Sequence, residues 1–361
     1  MPSGGALVAG LTSVAVRDVR CIEQADLDIA PGLTLIWGNN GSGKTSLLEA
    51  IFLLGRGRSF RTRNTERLIR RGQDHLRVIG YVEGEHGYVR PVGIECGSGG
   101  TTARVAGHPV QSLAELSQVF AVQAIEPGVH RLLEEGGHRR RRWMDWAVFH
   151  VEPPFVDTWL RYTRTIKQRN AALRTDPAQA SIWDPELART GEAIAESRRR
   201  FLEMLQPYWA QTVTALTGLD VQLHYLRGWS AERTLQEALV ASRSRDEVRH
   251  LTHSGPHRAD IAVRLNGRTA REVLSRGQQK LVAVAMTLAQ LRLLQAVTGT
   301  TPTLLLDDPA AELDEVRLKL FIEQIIQLRA QLIMTSLSAQ SELFGTPERT
   351  FHMDQGRVQP V

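Results

Sequence analysis

Gly38-Asn39-Asn40-Gly41-Ser42-Gly43-Lys44-Thr45 lies between an apolar run that reads as a strand, LTLIWG, and an apolar stretch of helical period, LLEAIFLLG. The octapeptide fits G-x-x-x-x-G-K-[ST] in the strand-to-helix setting that gives the pattern its meaning. Glycines permit backbone angles that other residues avoid, so successive N–H groups can wrap a β-phosphate. The helix that follows adds its dipole at the same place. Lys44 would span the β- and γ-phosphates of a nucleoside triphosphate, and the Thr45 hydroxyl would bind Mg²⁺. Ser46, next in the first helical turn, is counted with the nucleotide-binding residues. A chain carrying this loop is expected to be α/β, with the loop at the carboxyl edge of a sheet.

A second stretch supplies the acids such a loop requires. Leu304-Leu305-Leu306-Asp307-Asp308 reads as a strand buried on both faces, delivering carboxylates at its carboxyl end. Asp307 would hold Mg²⁺ through water, and Asp308 stands where a base could polarise an attacking water.

The third stretch is LSRGQQK, Leu274 to Lys280, ahead of the apolar helical run LVAVAMTLAQLRLLQ. Ser275 can cap this helix, and Gly277 leaves its first turn open. With Ser275 and Gln278 as donors, the uncovered N-terminus suits a terminal phosphate, worth roughly 0.3 to 2 kcal/mol from the dipole alone. The phosphate loop lies more than half the chain away in sequence.

At 361 residues the chain exceeds one comfortable core, so two lobes are expected. Residues 1–125 and 296–361 carry the phosphate loop and the acidic strand; residues 126–295 form a mainly helical second lobe that includes the heptapeptide. In that lobe Phe155, Trp159, Tyr162 and Ile166 share one helical face, as do Leu187, Ile194, Phe201, Leu205 and Trp209. Pro207 is expected to kink the second of these helices. The turn-like TDPAQASIWDP separates them, and no heptad persists long enough for a long coiled coil. VQLHYLRGW and DIAVRLNGR read as strands; after QLIMTS the chain is expected to end in a short tail.

Two cysteines, Cys21 and Cys96, are too few for a disulfide framework and lack metal-ligand spacing. The N-terminus has no basic region ahead of an apolar core, and no apolar run is seen that approaches the ~20 residues of a spanning helix. A cytoplasmic protein with no membrane partner is expected. The net charge of +5 is carried almost wholly by arginine, since the only lysines are Lys44, Lys167, Lys280 and Lys319. A GC-rich genome would produce the same bias, so position has to decide. Arg56, Arg58, Arg61 and Arg63 cluster after the phosphate-loop helix, and Arg139, Arg140, Arg141 and Arg142 run consecutively. A further run, Arg198 to Arg200, reads as a solvated helix face. Arginine clusters contact phosphate without reading bases, which predicts salt-sensitive binding of DNA with little sequence preference. Aromatic residues interleave poorly with them, which favours duplex backbone over a base-stacking groove.

The heptapeptide, followed about thirty residues later by the acidic strand, resembles the signature of ABC-type ATPases. There each signature helix faces the γ-phosphate held by a second head. Asn40 to Ile51, GRGRSFR, RRRRWMDWAVFHVEP, SGPHRAD, LSRGQQK and LLLDDPAAELD together resemble the RecF family of DNA-repair ATPases. That family is similar to the heads of Rad50 and SMC proteins without their long coiled coils, and the likeness extends over nearly the whole chain.

The resemblance implies an ABC-type P-loop ATPase head with a mixed sheet core, ATP and Mg²⁺ as cofactors, slow hydrolysis and an ATP-dependent homodimer. It also implies binding at duplex and single-strand/duplex junctions, and help for RecA loading with RecR and RecO during replication, repair and the SOS response. Gln123 matches the family's loop coupling γ-phosphate to lobe rotation and joins the catalytic and Mg²⁺ set. Asp314 matches the acidic loop that crosses to the partner's nucleotide. Thr335 and Ser336 stand where transporters often keep a histidine, and Asp308 replaces the glutamate usual in transporters. Two other readings stay open here: the energy subunit of a membrane transporter, and a nucleotide-gated assembly factor with incidental hydrolysis. A GTPase is disfavoured because no N-K-x-D motif occurs.

Overall fold

The computed structural model describes residues 10–62, 64–84, 87–110, 113–311, 314–339 and 344–361. The chain divides into two compact units, Met1–Val129 with Val284–Val361, and His130–Ala283. The second join falls inside a helix, whereas the sequence placed the lobe boundaries at 125/126 and 295/296.

Among the described residues the first unit contains two six-stranded sheets. One is antiparallel and ordered β2-β1-β4-β5-β6-β7, from β1 (Leu11–Val19), β2 (Ile22–Asp28), β4 (His75–Glu83), β5 (Val89–Gly97), β6 (Gly100–Val105) and β7 (His108–Pro109). Alternation explains its buried face: Val14, Val16, Leu76, Val78, Val92 and Ile94 are all but inaccessible. The other sheet is ordered β15-β14-β3-β13-β12-β8. Its strands are β3 (Leu33–Trp37), β8 (Val122–Ile125), β12 (Thr303–Asp307), β13 (Gln331–Ser336), β14 (Arg349–Asp354) and β15 (Arg357–Pro360). All neighbours in it are parallel except the β14–β15 hairpin. Every residue of β12 is buried, as expected for an interior parallel strand.

Helix α1 (Lys44–Arg56) is apolar nearly all round and packs against strands of both sheets. Leu47, Leu48, Ile51 and Leu54 have no exposed surface. Helix α2 (Leu113–Val119) packs against α1, and α10 (Glu315–Leu328) lies between β12 and β13 in the chain. Helix α9 (Arg276–Thr298) crosses the join, its residues from Val284 onward belonging to the first unit. By length and composition α9 could span a membrane, contrary to the sequence expectation, because its central turns hold few charges. Its most apolar window is 72% buried, so these side chains serve as protein core.

The second unit holds α3 (Arg131–Glu134), α4 (Gly137–Val151), α5 (Phe155–Thr175), α6 (Asp184–Thr217), α7 (Leu235–Arg249) and α8 (Ala270–Val273). A three-stranded antiparallel sheet, β11-β10-β9, completes it with β9 (Val221–Leu226), β10 (Asp260–Leu265) and β11 (Arg268–Thr269). The predicted faces of α5 and α6 turn inward, Phe155, Phe201, Leu205 and Trp209 being buried. Trp209 donates its indole N–H to the Val221 carbonyl at 2.7 Å, which ties α6 to β9. Helix α6 runs through Pro207 without a break, and the expected turn before it is a 3-10 helix, Pro177–Trp183. Buried Arg169 of α5 donates to Asp184 at 2.7 Å, to Asp246 at 2.8 Å and to the Thr252 hydroxyl at 2.9 Å. One guanidinium thus pins α5, α6 and α7 together.

Candidate nucleotide site

The phosphate loop joins β3 to α1, and the helix begins with no acid in its first turn. Its N–H groups and dipole are therefore left to an anion. The loop is braced from behind by the β14–β15 hairpin, the segment expected to be a plain tail. Gly356 N donates to Ser42 O at 2.8 Å. Gly43, at φ 114°, lies so close that a Cβ there would stand 2.7 Å from Met353 Cε and 2.9 Å from Cys21 Sγ. Any side chain at this position would push the loop off its support.

Lys44 is 7% exposed, and its ammonium donates to Gly38 O at 2.6 Å and Asn39 O at 2.9 Å. Burial lowers its pKa, against the opposing charges of Asp308 and Asp307. The Thr45 hydroxyl lies 3.0 Å from both carboxylate oxygens of Asp307. Thr335, on β13, donates to Asp307 Oδ1 at 3.0 Å and accepts from the Asp308 N–H at 3.0 Å. Asp308 takes φ 47°, a left-handed conformation rare for a side-chain-bearing residue. Burial raises its pKa and Asp307 adds to the rise, while Lys44 opposes it. A raised pKa makes its carboxylate a better proton acceptor.

A cleft of about 340 Å³ opens over these groups, lined by Asn40, Gly41, Gly43, Lys44, Thr45, Ser46, Asp307 and Asp308, with Cys21, Arg61 and Pro127 on its walls. The loop and the acidic strand, 262 positions apart between Thr45 and Asp307, thus meet at one place. No group of three or more His, Cys, Asp or Glu forms a metal cage among the described residues. Thr45 and Asp307 are hard oxygen donors of the kind that hold Mg²⁺ together with nucleotide phosphates.

Other expected residues lie elsewhere or are engaged. Gln123 is buried, donates to Gln290 Oε1 at 2.7 Å and does not line the cleft. Asp314 caps α10 by accepting from Arg317 N at 3.0 Å. Ser275 and Gln278 form a reciprocal cap of α9: Gln278 N reaches Ser275 Oγ at 3.3 Å, and Ser275 N reaches Gln278 Oε1 at 3.0 Å. Gly277 falls in that same capped turn.

The arginine clusters separate by environment. Arg56 is buried, 5.4 Å from the Phe52 ring centroid, and Arg61 lines the cleft 3.8 Å from Glu49. Arg63 lies outside the described residues, and Arg58 is half-buried. Arg140 holds Asp260 through two bonds, at 2.8 and 2.9 Å, and three main-chain carbonyls besides. Arg139 pairs with Glu135, Arg141 donates to Ala259 O, and Arg142 is exposed. Arg198, expected on a solvated face, is buried and bonded twice to Asp145. Thr335 is the residue whose part sequence reasoning misses: its position at the end of LIMTS is visible in sequence, but its link to both acids needs the β12–β13 register.

Fold and site together define an ABC-type P-loop ATPase head. The RecF/RecN/SMC N-terminal domain family matches residues 10–355. The chain is 38% identical over 356 residues to the DNA replication and repair protein RecF of Vibrio parahaemolyticus, covering 97% of this chain and 99% of that one. It is equally 38% identical to the RecF of Pseudomonas aeruginosa, over 96% and 97% of the two chains. A solved structure of the recombination mediator protein RecF with ATP, in the RecFOR pathway, superposes over 100% of both chains with TM-score 0.90 at 26% identity. An Smc head from Pyrococcus yayanosii shares the fold, with TM-score 0.59 at 12% identity over 98% and 97% of the chains. The chain belongs to the RecF family of DNA replication and repair proteins. Relatives so named along its whole length remove the ground for the transporter reading.

Proposed function

We propose that the protein binds ATP in the cleft over Lys44 and that bound ATP joins two copies of the chain, each offering the first turn of α9, with Ser275, Gly277 and Gln278, to the other's γ-phosphate. The observation that carries this is the Thr45 hydroxyl within 3.0 Å of both Asp307 carboxylate oxygens, beside Lys44. Backbone N–H groups of the loop receive the β-phosphate, and Lys44 exchanges the carbonyls of Gly38 and Asn39 for phosphate oxygens. Thr45 and Asp307 would hold Mg²⁺, which when bound offsets phosphate charge. Asp308 accepts a proton from the attacking water, giving slow hydrolysis; Gln123 would have to leave Gln290 to take part, and Asp314 to leave its cap.

On this reading the ATP-joined pair grips DNA through exposed arginines such as Arg142, in the cytoplasm, at duplex and single-strand/duplex junctions. It acts there with RecR and RecO to help load RecA, the setting that the RecF of the RecFOR pathway supplies. The test is ATP binding by calorimetry with Lys44→Met alongside. Loss of the charge-assisted contacts, roughly 3 kcal/mol, weakens binding by about two orders of magnitude. Unchanged affinity in the variant refutes the site. DNA affinity falls with salt at a slope of about −0.9 per phosphate neutralised, and a flat plot refutes the grip.

A further inference from the structure

Helix α7 buries Leu235, Leu239 and Asp246 against the second unit and turns its opposite side to solvent. On that side Val240, Ser244 and Val248 follow one another at helical spacing, Val240 being 53% and Val248 76% exposed. Leu251, just past the C-cap, is 42% exposed. Arg243 lies on one shoulder of this stripe, Arg245 and Arg249 on the other. Arg243 reaches Asp184 only at 3.6 Å, and among the described residues neither Arg245 nor Arg249 has an ion-pair partner. The acids of the helix do little to offset them. Asp246 is buried against Arg169 and His253, and Glu237 is spent on the Thr234 N–H in a capping box. On the helix itself only Glu247 remains, and from outside it Asp184 answers Arg243 alone, which leaves Arg245 and Arg249 in excess.

A basic residue in a last helical turn ordinarily answers the helix dipole. That accounts for Arg249, and Asp184 answers Arg243, but neither accounts for Arg245 a turn earlier or for two valines and a leucine left in water. We propose that the outer face of α7 is a docking surface for an acidic protein segment that carries large apolar side chains. Its carboxylates would meet the arginines on both shoulders while its apolar groups cover Val240, Val248 and Leu251. A phosphate backbone would satisfy the arginines and leave the valines bare, which favours protein over nucleic acid. The inference does not rest on the nucleotide reading, because no residue of the cleft takes part.

The test uses the full-length protein and a fluorescein-labelled peptide of repeated Asp-Asp-Ile-Leu units, with poly-aspartate of equal length as control. Fluorescence anisotropy is expected to show the mixed peptide binding about tenfold or more tighter than poly-aspartate. The pair Val240→Gln with Val248→Gln, and separately the pair Arg245→Gln with Arg249→Gln, should each weaken it about tenfold. These positions are exposed, so circular dichroism and the melting temperature should not move; if a pair perturbs the fold, Val248→Ala replaces it with a smaller loss. Equal binding of poly-aspartate, or variants that bind the mixed peptide unchanged, overturns the proposal. So does a loss confined to duplex DNA binding, which would mark the face as a nucleic-acid contact.

Discussion

Thr335→Val removes one hydroxyl and keeps the shape of the side chain. In the structure that hydroxyl donates to the Asp307 carboxylate and accepts the Asp308 N–H, both at 3.0 Å, and Thr335 has no exposed surface. A hydrogen bond to a carboxylate contributes about 1.5 to 3 kcal/mol, and stranding a buried N–H costs about 1 to 3 kcal/mol. The two share one oxygen and do not simply add, so roughly 2 to 4 kcal/mol is expected in all. Urea unfolding without nucleotide should show that loss as an earlier midpoint with an unchanged slope. Asp308 also loses the tether holding it at φ 47°. ATP turnover at saturating substrate should then fall by roughly tenfold or more, as expected when a reacting group is misplaced. Thr335→Ser keeps the hydroxyl and should restore most of both quantities. A change below about 0.5 kcal/mol with unaltered turnover would refute the link between the two acids.

Cys21 lines the cleft and is exposed, whereas Cys96 is buried, so maleimide should label Cys21 alone, and ATP should slow the labelling by roughly tenfold. Arg169→Met removes the buried cation shared by Asp184 and Asp246, leaving them Arg243 at 3.6 Å and His253, and should cost about 3 to 5 kcal/mol, read by denaturation; a milder loss would mean that these second partners or water take over. His257 accepts from the Tyr162 hydroxyl at 2.6 Å and reaches the Thr252 carbonyl at 2.9 Å through its other ring nitrogen. Burial holds its pKa down at about 4, against an ordinary 6.5. The unfolded chain therefore binds the extra proton between those values. The contribution is complete above pH 6.5 and is lost as pH falls towards 4, up to about 3 kcal/mol, and His257→Gln should flatten that part of the stability profile.

The phosphate loop and acidic strand were legible because each is local: a glycine spacing between strand and helix, and an apolar run ending in acids. What escaped depends on partners remote in sequence. Nothing near Arg140 announces Asp260, nor anything near Arg198 its pairing with Asp145, so two of the arginines read as surface charge are internal staples. The β14–β15 hairpin reads as a tail in sequence because its strands are short and polar, and its place beneath the loop is set by register with β3. Helix α7 went unseen for want of a strong apolar stripe. Yet Thr234-Leu235-Gln236-Glu237 is a capping-box pattern that could have marked its start. In sequence Ser275 and Gln278 read as donors for phosphate, and the structure shows them serving as the helix's own cap.

Nucleotide as the joint between two copies is open to one direct measurement: molar mass by light scattering at high protein concentration, with and without ATP and Mg²⁺. The protein should weigh 40.2 kDa without nucleotide and twice that mass with it. Ser275→Arg should bind ATP normally yet stay single. A mass that remains at 40.2 kDa under saturating ATP, or pairing that survives Ser275→Arg, would contradict it.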